Sequence, residues 1–186
     1  MKGFSIPRRT EVTQGNQVLF DKLTSILGTV PNLYAGFAWS ANALSTYLAL
    51  ENGKSSLNAR QREAIHLVVS QINDCQYCIT AHAEIARMNG FTEEQIKEIR
   101  SGRATFDIRL DAIVRLAKNI TENRGRSDEG SLEAFYAAGL TKENLVDVVL
   151  VIGYKIIANY LQALINTPLD FPLAAHWENP IRHREG

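Results

Sequence analysis

Apolar residues recur at intervals of three and four along almost the whole chain, as in Leu19, Leu23, Ile26 and Leu27 or in Ile65, Val68, Val69 and Ile72, while alternation at period two is scarce. Such spacing gathers apolar side chains into one stripe of a helix and would scatter them over both faces of a strand. The chain is therefore predicted to be all-α. Its punctuation agrees: Gly28, Gly53, Gly90, Gly102, Gly125 and Gly139 each follow a periodic run, where a helix end favours a residue that tolerates positive φ. Helices are predicted near 13–27, 31–51, 58–73, 75–89, 92–101, 107–123, 131–138 and 142–166. The last holds the β-branched run VVLVIGY, but its length and its amphipathic neighbours suit a buried central helix or an oligomer seam.

At 186 residues and 45% apolar composition, the chain reads as a single domain, 1–186, that buries roughly 70% of its unfolded surface and needs no disulfide staple. Lysine plus arginine equals aspartate plus glutamate at 20 each, and no segment concentrates the positive charge, which argues against nucleic acid as a partner. The opening MKGFSIPRRTEV lacks the apolar core of a signal peptide, and Asp147, Lys155 and Asn159 interrupt the most apolar stretch. A cytoplasmic protein without a membrane span is the expectation. In that compartment thiols are kept reduced, so a close cysteine pair points to catalysis, redox sensing or metal binding before it points to a structural bridge.

GFTEEQI at 90–96 and GLTKENL at 139–145 share one helix-start grammar: a glycine stop, an apolar residue, a threonine cap and an apolar residue at the fourth helical position. At the same offset of 49, Arg60 falls on Arg109, Leu67 on Leu116 and Glu84 on Glu133, as a duplicated three-helix unit would have it. Cys75, Cys78, His82 and Glu63 instead fall on Arg124, Ser127, Ser131 and Ala112. The chemistry is then expected in a catalytic unit of about 57–101, with a degenerate repeat at about 106–150 and a C-terminal tail at 168–186.

The chain's two cysteines lie in INDCQYCITAHAEIARMNG, three residues apart, with His82 four residues after the second. Asn73 and Asp74 are good caps for the helix that follows. Cys75 is thereby placed in its first turn, where free N–H groups and the positive dipole end ease thiol ionisation. Spacings of three and four put Cys75, Cys78 and His82 on one helix face. The preceding helix ends at this same turn. In an antiparallel hairpin Glu63 then lies level with His82, and carboxylate, imidazole and thiol together form an acid–base relay. Zinc is the competing reading, with Cys75, Cys78, His82 and Glu63 as ligands, but three ligands within two turns of one helix are unlike a structural zinc site. No metal and no cofactor is expected. His66, one turn from Glu63, is an auxiliary candidate, with also the plainer reading of a core-edge or solvated residue. His176, Trp177 and His183 in the tail are expected to wrap a neighbour, and Tyr34, Phe37 and Trp39 to be core aromatics.

The pattern Glu63, eleven residues, Cys75-Gln76-Tyr77-Cys78, three residues, His82 resembles the AhpD-like alkylhydroperoxidases of the carboxymuconolactone decarboxylase superfamily, most clearly over 55–125. LTKENLVDVVLVIGY and NTPLDFP are similar to peroxidase-related members. The resemblance implies an all-helical AhpD-like fold with an internal repeat, assembled as a homotrimer or homohexamer. It implies a peroxidase of small hydroperoxides, with Cys78 as the peroxidatic thiol, Cys75 as the resolving thiol and Glu63 with His82 as the proton relay. An external dithiol, such as a lipoyl or thioredoxin-like protein, would reopen the disulfide. Tyr77 stands where the best-known members carry a relay histidine, so that role falls to its hydroxyl or stays empty. Two alternatives remain: a redox sensor in which the same disulfide switches a helix pair, and lactone decarboxylation, whose enzymes do not use such a cysteine pair.

Overall fold

Polar caps and glycine stops cut the chain into nine α-helices among residues 4–170, the part described by a computed structural model of the protein. They are α1 (Gln14–Leu27), α2 (Asn32–Phe37), α3 (Ala43–Glu51), α4 (Ala59–Ile72), α5 (Gln76–Met88), α6 (Glu93–Arg100), α7 (Ile108–Glu122), α8 (Glu129–Ala137) and α9 (Lys142–Ile165). No strand occurs among the described residues, and the all-α expectation holds. The tail residues His176, Trp177 and His183 lie outside the described residues.

Among the described residues, 4–54 with 160–170 form one compact unit; Ser55–Asn159 forms a second. In the first unit, Phe20, Leu23, Leu33, Leu44 and Tyr47 are buried, and Phe37 stacks on Tyr47 with ring centroids 4.5 Å apart. The helix predicted over 31–51 is broken between Phe37 and Ala43. Buried Asn16 donates from Nδ2 to the carbonyls of Ala38 and Ser40, both at 2.9 Å, which draws them out of a helical ladder, and Ser40 Oγ then accepts the Ala43 N–H at 3.2 Å to start α3. Trp39 is exposed rather than in the core, its indole N–H donating to the Ser5 carbonyl at 2.8 Å. Gly36 is a packing necessity: a Cβ there would lie 2.6 Å from Ile165 Cδ1.

In the second unit α4 is central and packs against α5, α6 and α7, while α7 packs against α8. Ile65, Leu67, Val68 and Val69 of α4 are wholly buried, with Ile79, Ile99, Ile113, Leu116 and Phe135 around them. The helix starts behave as their sequences dictate. Asn58 Oδ1 accepts from Gln61 N while Gln61 Oε1 accepts from Asn58 N, and Thr92 with Gln95 repeats this reciprocal cap at α6, its staple residues Phe91 and Ile96 both buried. Starts recur at the 49-residue offset: Ala59 and Ile108 open α4 and α7, and Glu93 and Lys142 open α6 and α9.

By length and composition α9 could cross a membrane, yet 44% of its most apolar window is buried within the protein. The polar residues that interrupt it are bonded inside the second unit. Asp147 accepts from the Ser56 N–H at 2.6 Å and from its hydroxyl at 2.7 Å, and Asn159 donates to Ser70 Oγ at 3.2 Å and accepts from Asn73 Nδ2 at 3.0 Å.

Candidate active site

The turn from α4 to α5 carries the cysteines. Asn73 ends α4 and Asp74 takes a left-handed conformation with φ 53°, so neither caps the next helix as their residue types predicted. Cys75 is itself the N-cap: its backbone N–H donates to the Ser70 carbonyl at 2.9 Å, and its Sγ accepts the N–H of Cys78 at 3.4 Å. A sulfur so placed meets the positive end of α5 and an amide donor, both of which favour thiolate. Cys75 and Cys78 are joined as a disulfide with Cα atoms 5.3 Å apart, and both are buried.

The hairpin of α4 and α5 brings Glu63 to His82, as its register predicted. Glu63 Oε1 lies 2.6 Å from His82 Nδ1, and Glu63 Oε2 lies 3.4 Å from His66 Nδ1. All three side chains are buried, and the imidazole centroids are 4.5 Å apart. Two residues of α9 complete the cluster. Tyr154 Oη is 3.0 Å from His66 Nε2, and Lys155 Nζ is hydrogen-bonded to His82 Nε2. Both are buried, and Lys155 retains only 2% of its exposure. His66 thus belongs to the site and not to a solvated edge. Tyr77 is buried in the first turn of α5, but the phenol that meets His66 is that of Tyr154. Both nitrogens of His82 are engaged, by Glu63 and by Lys155, and neither meets Cys78 in the direct contact that their spacing suggested.

Burial, then the charge of Lys155, hold His82 well below the ordinary histidine range. Burial also pushes His66 down to about 3, helped by His82 and Lys155 and opposed by its hydrogen bond to Glu63. Both rings are therefore neutral at physiological pH. A neutral ring has one N–H and one lone pair, and an ammonium can only donate, so His82 carries its proton on Nδ1, donates it to Glu63 and accepts from Lys155 on Nε2. The same assignment satisfies His66: Nδ1–H to Glu63, Nε2 accepting from Tyr154. Glu63, His66 and His82 offer ligand atoms within 4.8 Å of one another, the donor types a metal ion would need. The lone pair of His82 is, however, already committed to Lys155, whose charge repels a cation from that nitrogen.

The depressed histidines make stability depend on pH. A group with ordinary value 6.5 and folded value of about 3 binds more protons when unfolded, so stability rises with pH across that window and is fully present only above 6.5. Ordinary carboxylates titrate mainly below about 5, so the histidine contribution is read above that point. The urea midpoint is expected to fall between about pH 7.5 and about pH 5; a flat midpoint would contradict the buried neutral imidazoles.

A sequence profile of the carboxymuconolactone decarboxylase family matches residues 35–122, which include α4, α5 and the whole cysteine turn. Uncharacterized protein YdfG of Bacillus subtilis (strain 168) is 31% identical over 102 residues, or 54% of this chain and 69% of that protein. Among solved structures, an uncharacterized peroxidase-related protein from Ralstonia eutropha JMP134, described as an alkylhydroperoxidase AhpD core, superposes with a TM-score of 0.80 at 19% identity, covering 90% of this chain and 91% of that one. The debrominase Bmp8 in its apo form superposes at 0.75 with 13% identity, covering 91% and 93%. These superpositions establish the AhpD-like helical fold and leave the chemistry to the site. With the family profile falling on the cysteine turn and a relative 31% identical that is matched over 69% of its own length, the chain belongs to the carboxymuconolactone decarboxylase family.

Proposed function

We propose that the protein is a thiol-dependent peroxidase that reduces alkyl hydroperoxides or hydrogen peroxide. One observation carries the reading: a cysteine pair at the head of α5, close enough to bridge, beside a buried Glu63–His82 hydrogen bond of 2.6 Å. Cys78 thiolate attacks the terminal peroxide oxygen; the O–O bond breaks, Cys78 becomes a sulfenic acid, and the departing alkoxide takes one proton. Cys75 then attacks the sulfenic sulfur, the disulfide forms and water leaves. An external dithiol reopens the bridge, so each turnover converts one peroxide and one dithiol into an alcohol, water and a disulfide. The helix-end position of Cys75 suits its release as thiolate when a reductant attacks Cys78. Mass spectrometry of the reduced protein after one equivalent of hydroperoxide tests this: a loss of two mass units with steady turnover on a dithiol is expected. Oxidation that occurs once and is never reopened by any dithiol would leave a redox sensor instead.

The assembly is proposed to be a homotrimer or homohexamer. Val146, Val149, Leu150 and Ile157 of α9 are exposed apolar side chains within three turns of one helix, a grouping that association would cover. Light scattering at micromolar concentration should return a multiple of the 20.7 kDa chain; a monomer would refute it.

A further inference from the structure

Lys155 comes from α9, 73 residues beyond His82 in sequence, and its Nζ meets the one nitrogen of His82 that Glu63 leaves open. Carboxylate, imidazole and ammonium stand in series across a buried site, and the two formal charges at the ends balance through the ring between them. Without Lys155, Glu63 would be a buried carboxylate whose hydrogen bonds come only from neutral imidazoles, a costly arrangement that would favour transfer of a proton to the site. Without Lys155, too, the Nε2 of His82 would be free to carry the proton, and the ring could take either tautomer.

We propose that Lys155 is a positioning residue of the relay: its ammonium caps Nε2 of His82, fixes the ring in the Nδ1–H tautomer and keeps it neutral as a base between Glu63 and Lys155. The neighbouring Tyr154 does the same for His66 by donating to its Nε2 at 3.0 Å, so one turn of α9 sets both imidazoles. The groups that meet His82 are Glu63 and His66 from α4 and Lys155 from α9, with Tyr154 behind His66. Of the other charged groups on the helices packed around it, Arg60 is bonded to the Asn89 carbonyl, Arg100 to Gln71 and Glu93 to Arg87, while Arg62 of α4 has a buried Nε without a hydrogen-bond partner. The chain of proton positions has a chemical use. Moving the Nδ1 proton to Glu63 while Lys155 gives one to Nε2 leaves the amine neutral and the total charge unchanged, so the relay can shift a proton across the site without building net charge there.

The inference leans on the peroxidase reading only for the reaction that the relay serves, and its main test needs no turnover. Long-range ¹H–¹⁵N NMR of the wild-type protein should show His82 with a protonated Nδ1 and an unprotonated, hydrogen-bonded Nε2 throughout the neutral range; a proton on Nε2 overturns the proposal whether or not any variant folds. In Lys155→Met the like-charge repulsion is gone, and the His82 titration should move to higher pH by about 1 unit or more, with the Nε2 hydrogen-bond signature lost. A folded Lys155→Met protein with unchanged His82 shifts and midpoint also overturns it. Where peroxide turnover is measured, the acid limb of its pH profile should move upward in the same variant, because a more easily protonated His82 is lost as a base at higher pH. Absence of peroxidase activity in the wild type, with the NMR result intact, would sink the functional reading and leave the role of Lys155 standing.

Discussion

Cys78→Ser is expected to abolish peroxide consumption altogether, the largest single effect at this site. A serine hydroxyl at neutral pH is neither ionised nor a soft nucleophile toward a peroxide oxygen, so no partial activity survives. Cys75→Ser should behave differently. Its Cys78 still has the relay beside it and can attack once, but no second sulfur receives the sulfenic acid, and the protein stalls after a single equivalent. Dimedone then labels Cys78 in Cys75→Ser and finds nothing in Cys78→Ser. Two features compete over this division. Cys75 has the helix end and the Cys78 amide on its sulfur, which favour its thiolate, whereas Cys78 shares the face of α5 that carries His82 and so lies toward the proton source that the departing alkoxide needs. Labelling of Cys75 in Cys78→Ser, with none in Cys75→Ser, would show that the helix end decides and would reverse the roles.

How far the site could be read from the sequence depends on how local each contact is. Glu63 and His82 flank one turn, and counting residues outward from that turn suffices to set them level; the 2.6 Å contact follows from the register. His66 shares a helix face with Glu63 at a spacing of three, and only its burial needed the fold. Lys155 and Tyr154 were hidden by distance, and by composition, since a lysine in VVLVIGYKII reads first as an interruption of an apolar run. A signal was nonetheless there. Asp147, Lys155 and Asn159 are separated by eight and four, which places them along one stripe of α9, and each is bonded inside the second unit. A polar stripe on an otherwise apolar helix has to be satisfied within the protein, and this one is. The break between α2 and α3 was less accessible still, because the carbonyls that leave the helix are drawn off by Asn16, more than twenty residues earlier in the chain. The caps of α4 and α6, by contrast, are local hydrogen bonds between residues three apart, and sequence alone places them.

Glu63→Gln should lower the peroxidase rate by about 10²- to 10⁴-fold, the range general acid–base catalysis supplies, because an amide can accept the Nδ1 proton of His82 as a hydrogen bond but cannot take it. From sequence the substitution looks harmless to folding. The structure changes that expectation. Glu63 is the negative end of a buried series whose positive end is Lys155, and neutralising one end leaves an uncompensated ammonium in the interior, a loss of about 3–5 kcal/mol. A fall in activity could then be blamed on a damaged fold. The double variant Glu63→Gln with Lys155→Met separates the two effects. It removes both charges together, so stability should recover most of what the single variant loses, as buried pairs replaced as a pair generally allow. Activity should not recover, because neither end of the relay can any longer exchange a proton with His82. Urea midpoints and steady-state rates on the wild type, both singles and the double, measured with one small synthetic dithiol, give all the comparisons needed. If activity returns along with stability in the double variant, Glu63 serves only to balance Lys155, and the relay has no part in the chemistry.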